Sequence, residues 1–448
     1  MTTEAPHTLE LDDIQNGVLH PRPLPYVATY MLLRIDDRRA GCEMLRRLIP
    51  DIASAADPMS PERDAWLSVA FTYQGFKAFG VPRTSLDSFT PEFQQGMAAR
   101  AVLLGDVGQS SPALWEKPLG TPDVHVLLSA ISPDTSRRDD LVTRARKASQ
   151  HMPGVKAIYR QDAYMLSTGR EAFGFKDGIS NPAVEGSGIP GTTPRERPLK
   201  AGEFVLGYLD ETGALPPMPQ PDVLGRNGTY LAFRKLHQRV AAFRQYLREQ
   251  SSSEEEEELL AAKMVGRWRS GAPLALSPER DDPVLGADPG RNNDFLYHDA
   301  DPRGFQCPAG SHIRRANPRD AFKDELIGVN RLHRMIRRGT SYGPSLAAGV
   351  CQDDGAERGT VFVFVGAHLK RQFEFVQTQW VNGGVFLGAP EEKDPLVGSN
   401  DGSGAFTIPR SPVRRRLHAL PSFTVTRGGE FCFVPSLSAL RWLSELNP

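Results

Sequence analysis

Tyr26-Val-Ala-Thr-Tyr-Met-Leu-Leu-Arg-Ile35 is rich in β-branched and aromatic residues and predicts a buried strand. From Arg38 to Ile49 the apolar residues Cys42, Leu45, Leu48 and Ile49 recur at helical spacing, and Pro50 ends the segment. Trp66–Tyr73 predicts a second strand, followed by a short helical piece over Gly75–Phe79 and a helix over Phe89–Ala101. Asp123–Ala130 predicts a third strand, Arg137–Met152 a charged helix and Val155–Met165 a fourth extended segment. The order strand, helix, strand, strand, helix, strand is the ferredoxin-like α+β pattern, one antiparallel sheet with helices on one face.

The second half predicts the same architecture with larger insertions. Gly186–Lys200, rich in Gly, Pro and Thr, suits a connection between domains. Strands are expected over Phe204–Tyr208, Gly228–Leu236 and Thr360–Gly366, and helices over Val240–Arg248, Ser251–Trp268 and Arg371–Val381. Residues 271–306, heavy in Pro, Asp and Asn, predict a long surface insertion. Phe423-Thr-Val-Thr426 and Phe431-Cys-Phe-Val434 predict a closing hairpin over Gly428-Gly429. The expected organisation is an N-terminal domain, 1–190, and a C-terminal domain, 191–448.

With 448 residues and 40% apolar composition the chain supports real cores. Its 53 basic and 54 acidic side chains give a net charge of −1, so no global field favours nucleic acid or an anionic membrane. Four scattered cysteines form no CxxC pair, which argues against a zinc site or a disulfide scaffold. No twin arginine or signal-like apolar run opens the sequence, and no stretch is long enough to span a bilayer. A soluble cytoplasmic protein is expected.

Chemistry concentrates in three stretches. Glu171-Ala-Phe-Gly-Phe-Lys-Asp-Gly-Ile-Ser-Asn-Pro-Ala-Val-Glu-Gly186 sets one carboxylate, Asp177, between Gly174 and Gly178 and beside Phe173 and Phe175. Glycines permit φ > 0 and close approach, and a rigid loop presenting one acid in apolar surroundings suits proton transfer. An ordinary Gly/Asp turn is the plainer reading. Cys307-Pro-Ala-Gly-Ser-His-Ile-Arg-Arg-Ala-Asn-Pro-Arg319 holds one histidine followed by arginines. Imidazole is the usual axial ligand of haem iron, and arginines suit carboxylates such as propionates, although a polar surface segment reads the same way. His333-Arg-Met-Ile-Arg-Arg-Gly-Thr-Ser-Tyr-Gly343 by itself predicts the end of an amphipathic helix with a basic last turn.

Together, Gly174–Gly178, His312–Arg319, Ile336–Gly343 and Ala262–Leu274 resemble the dye-decolourising peroxidases, specifically the large-insertion bacterial and fungal branch. The resemblance implies two ferredoxin-like domains with one haem b per chain, held mainly by the C-terminal domain. By motif position it implies His312 as the proximal iron ligand, Asp177 as the distal acid and Arg337 as the distal arginine. It also implies Arg319 against a propionate and Asp394 as the carboxylate behind the histidine. Phe362 and Phe364 alternate on one strand, so both can wall the cofactor pocket, with Gly178 beside them. Gly339 stands where some branches carry a polar side chain, leaving more room for peroxide or water.

The implied activity is reduction of hydrogen peroxide and one-electron oxidation of dyes, phenolics or other bulky aromatic donors. Aspartate, with an unperturbed pKa near ~3.9, makes acidic pH the expected optimum. Donors too large for the pocket require surface relays, for which Tyr342 and Trp380 are the candidates. A haem-handling, deferrochelatase-like protein with incidental peroxidase activity is the alternative. A homo-oligomer is compatible with the sequence.

Overall fold

The computed structural model describes residues 8–57, 64–194, 196–322 and 327–446. Eight strands build the main sheet: β1 Val27–Ile35, β2 Trp66–Phe71, β3 Val126–Ser132, β4 Val155–Tyr164, β5 Thr229–Gln238, β6 Ile336–Tyr342, β7 Gly359–Gly366 and β8 Thr424–Val434. The helices that matter here are α1 Arg38–Leu48, α2 Thr135–Ser149, α3 Val240–Glu249, α4 Glu254–Val265, α5 His312–Ala316 and α6 Leu437–Glu445.

The strand order is β4-β1-β3-β2-β8-β5-β7-β6. Each half therefore repeats one arrangement, with its fourth strand beside its first and its third strand between its first and its second. The two halves meet where β8 pairs antiparallel with β2 at Phe433 and Phe71, which makes a single continuous sheet. Both ferredoxin-like units are present, as expected from the alternation of strands and helices.

Helix ends are set by local chemistry. Asp37 accepts from the Ala40 amide at 2.7 Å to start α1, and Ser253 accepts from the Glu256 amide at 3.3 Å to start α4. Gly266, at φ +96°, closes α4 in the left-handed conformation.

Alternation of side chains along the strands divides the interior into two faces. One face carries Leu67, Val69, Phe71, Leu128, Phe431 and Phe433 and is covered by α1, α2 and α6. The opposite face carries Leu32, Trp66, Leu127, Phe233, Val363 and Tyr342 and is covered by the segments holding Ile14, Val18, Phe204 and Val205.

Several expectations are corrected. Phe204–Tyr208 is not a strand: the Phe204 and Val205 amides both return to the Ala201 carbonyl at 2.9 Å, so the segment turns on itself and buries its apolar side chains against the sheet. The expected hairpin over Gly428-Gly429 is one strand. β8 runs unbroken along β5 from Thr424 opposite Gln238 to Val434 opposite Thr229, and the glycines form a bulge. Gly428, at φ +153°, passes so close to Leu119 that an added Cβ would lie 2.5 Å from the Leu119 Cβ.

Ile336–Tyr342 is a strand rather than a helix end, because pairing with β7 along its whole length outweighs its charged composition. The 271–306 insertion is not merely superficial. Ala272, Leu274, Leu285, Phe295 and Tyr297 form their own core with Trp268 and Cys307. Residues 369–381 are helical as expected, but wound as wide π-type turns.

Candidate active site

A cavity of about 730 Å³ opens on the helix-bearing face of the second half of the sheet. Its walls include His312, Asp177, Arg337, Arg319, Phe362 and Gly178. Residues from three distant motifs thus converge on one space.

His312 opens α5, so its ring projects from the first turn of a short helix packed beside residues 376–381. Its Nδ1 lies 2.7 Å from Oδ2 of Asp394, which is fully buried. The second Asp394 oxygen accepts from the amides of Leu396 at 2.8 Å and Val397 at 3.0 Å. Burial alone would push this carboxylate up, but His312 and the two amides outweigh it and hold Asp394 below the usual carboxylate range. The pair acts in the opposite sense on the ring. Burial pulls His312 down, the Asp394 charge prevails, and the imidazole ends above its ordinary pKa. With Nδ1 committed to Asp394, Nε2 is the nitrogen left for the cavity.

Asp177 lines the same cavity from a loop that Glu171 organises. The Glu171 carboxylate accepts from the amides of Phe173 at 3.0 Å and Phe175 at 2.9 Å and from Gln238 Nε2 at 2.6 Å. Burial raises the Glu171 pKa against these donors. Gly174 and Gly178 both take positive φ, at +96° and +79°. The Asp177 side chain lines the cavity and reaches Arg22 Nη2 at 3.5 Å. Arg22 is fixed in turn by its Nε–H donating to the Gly339 carbonyl at 2.6 Å and by stacking on Tyr26 at 4.1 Å.

Arg337 leaves β6 on the cavity side. Its Nη2 donates to the Ser180 carbonyl at 2.6 Å, and its amide donates to Asn181 Oδ1 at 3.1 Å. The acid loop and the arginine strand are thereby locked together. Burial and the nearby Arg334 push the Arg337 pKa below that of a free arginine, against the pull of Asp177.

Arg319, at φ +54°, lines the cavity while its guanidinium donates to the carbonyls of Asn293 at 3.1 Å and Phe295 at 3.0 Å and to Asn293 Oδ1. Its guanidinium also stacks on Phe295 at 3.8 Å. Arg267 donates to the same Asn293 side chain at 2.9 Å, so the insertion braces one end of the cavity. Phe362 lines the cavity, whereas Phe364 is fully buried one residue pair deeper, against Phe373 at 5.8 Å. Tyr342 and Trp380, expected at the surface, are buried at 2% and 5% exposure.

Sequence reasoning missed Arg22, Glu171 and Asn293. Glu171 carried a signal, a carboxylate directly ahead of Gly-rich backbone with free amides; Arg22 and Asn293 carried none.

No family model matches the chain. It is 31% identical over 454 residues to a dye-decolorizing peroxidase of Exidia glandulosa, covering 97% of this chain and 87% of that protein. It is 32% identical over 406 residues to dye-decolorizing peroxidase msp1 of Mycetinis scorodonius, covering 84% and 75% respectively. A solved dye-decolorizing peroxidase in complex with 2,6-dimethoxyphenol superposes with a TM-score of 0.84 at 26% identity, covering 97% of this chain and all of that one. A deferrochelatase of Escherichia coli is 25% identical over 280 residues, 57% of this chain and 53% of that protein. The fold and its relatives place the chain among the oxidoreductases. The chain belongs to the dye-decolourising peroxidase family and is a peroxidase.

Proposed function

We propose that the cavity holds one haem b, with His312 Nε2 as the iron ligand and Arg319 toward a propionate. The residues fit such a group: an imidazole whose other nitrogen is fixed by a buried carboxylate, an apolar wall with Phe362, Ile313, Ala316 and Leu396, and a guanidinium at one end. Bound haem would supply the two-electron reduction of peroxide and the subsequent one-electron oxidations. We take residues 1–190 as the unit that contributes the acid loop and 191–448 as the unit that holds the cofactor.

Asp177 takes a proton from one oxygen of hydrogen peroxide and returns it to the other, which leaves as water. Arg337, held by Ser180 and Asn181, stabilises the negative charge that develops as the O–O bond breaks. Asp394 keeps His312 oriented and electron-rich. Acidic pH favours the cycle, and small phenolic or larger aromatic donors supply the electrons. Donors too large for the cavity give up electrons through tyrosine or tryptophan relays that start from Tyr342 or Trp380.

The observation that carries this reading is the buried Asp394–His312 bond directed away from a large cavity that Asp177 and Arg337 also line. Reconstituting the protein with haem and following the Soret band after one equivalent of peroxide tests it. A rapid spectral change, slowed in Asp177→Asn, is expected. Haem retained without any response to peroxide would favour haem handling instead. None of the four cysteines is paired, which supports a cytoplasmic setting.

A further inference from the structure

Tyr342 points away from the cavity, into the core on the other face of the sheet, and is closed to solvent. A donor outside the protein cannot touch it. Its surroundings nevertheless lead outward. The Tyr342 phenol donates to the Leu236 carbonyl at 3.3 Å, and Leu236 lines the cavity. Lys235 Nζ lies 4.8 Å from the Tyr342 ring centroid and donates to both Glu116 oxygens at 2.8 Å. On the far side of that carboxylate, Tyr159 of β4 donates its phenol to Glu116 Oε2 at 2.9 Å. Tyr159 is only partly buried, and so is Glu116, with a third of its side chain exposed.

We propose that Tyr159, with Glu116 as its proton acceptor, is the outer oxidation site for bulky aromatic donors, relayed through Tyr342. This rests on the reading of the cavity as a haem peroxidase site with protein relays. A phenol gives up an electron readily only if its proton has somewhere to go, and a carboxylate within hydrogen-bond reach provides that. Tyr164 shows the contrast: it is 39% exposed, but its phenol donates to the Gly343 carbonyl at 2.9 Å, which cannot hold a proton.

The step balances. Tyr159 passes one electron inward across the Tyr342 ring, which serves only as a bridge and keeps its own phenolic proton on the Leu236 carbonyl. Tyr159 passes its phenolic proton to Glu116 Oε2, leaving a neutral tyrosyl radical on Tyr159. A dye at the surface returns one electron, and the proton moves back from Glu116. Hydrogen peroxide, reduced at the cavity, is the oxidant. Tyr159 lies on β4, the edge strand of the first half, and neither Tyr159 nor Glu116 lines the cavity.

The test uses the haem-loaded full chain with one equivalent of peroxide and no donor. Radicals are trapped with a nitroso spin trap and mapped by mass spectrometry, and dye turnover is measured in parallel. The expected adduct is on the peptide carrying Tyr159. Tyr159→Phe should remove it and lower kcat/KM for an anthraquinone dye at least roughly tenfold, equivalent to about 1.4 kcal/mol. The rate of the spectral change with peroxide should not move. Glu116→Gln should act like Tyr159→Phe, and Glu116→Asp should restore part of the turnover, which loss of packing alone would not do. Adducts confined to the Tyr342 or Trp380 peptides, with dye turnover intact in Tyr159→Phe, would overturn the assignment while sparing the relay reading. Undiminished dye turnover with no protein radical in any variant would remove the relay itself.

Discussion

The carboxylate of Asp177 rests against the backbone of Gly339: a Cβ at position 339 would lie 2.7 Å from Asp177 Oδ2. The glycine therefore does more than leave room for peroxide. It is the surface on which the acid lies, within a strand whose neighbouring residues Arg337 and Arg338 carry charge. Gly339 is flanked in register by Phe362, so strand pairing does not depend on its lack of a side chain. In Gly339→Ala the acid has to move, and the rate of reaction with peroxide should fall by at least roughly tenfold, a barrier increase of about 1.4 kcal/mol. The melting temperature should stay close to that of the parent. Stopped-flow absorbance and thermal denaturation measure the two.

Removing the acid or the guanidinium has a larger effect than displacing it. Asp177→Asn should slow the reaction with peroxide by roughly 10²–10⁴-fold, the range for loss of a positioned acid–base group. Arg337→Leu should cost roughly 10²–10³-fold, as for loss of a charge-stabilising donor. Both variants should retain haem, since neither residue is the ligand. Wild-type rates in Asp177→Asn would remove this residue from proton transfer.

His312 and Asp394 are separable by cofactor retention. His312→Ala should lose the Soret band on desalting. Asp394→Asn should keep the fold but weaken retention or turnover by roughly 10–100-fold, the usual effect of losing the partner behind a metal-bound histidine. Retention equal to wild type in His312→Ala would assign the iron to another ligand.

Buried acids outside the cavity make stability depend on pH, and Glu430 is one of them. Glu430 of β8 is 7% exposed and accepts from the Gly120 amide at 2.6 Å. Burial pushes its pKa up to about 8, with the amide only partly opposing. A carboxyl raised in the folded state binds its proton more tightly there than in the unfolded chain. Its contribution is therefore complete below the ordinary glutamate range and declines as pH rises through the unfolded pKa toward about 8. Stability to urea should fall across that window, and Glu430→Gln should flatten the fall. An equally steep decline in the variant would place the titration elsewhere.

The sequence by itself determined the repeated strand and helix alternation, because periodicity of apolar residues records which face of each element is buried. It also marked Asp177 through its glycines and His312 through its motif. The strand at Ile336–Tyr342 was not legible, since a run with two arginines becomes a strand only by pairing with the apolar β7. The single strand through Gly428-Gly429 was hidden for a related reason, that a bulge and a turn use the same residues. Arg22 contacts Gly339 across 317 positions of chain, and Asn293 joins Arg267 to Arg319 from within a Pro- and Asp-rich segment. No local pattern encodes such meetings. Residue types set which groups are able to bind, transfer protons or carry charge, and tertiary packing alone decided which of them share a cavity and which, like Tyr342 and Trp380, are sealed from solvent.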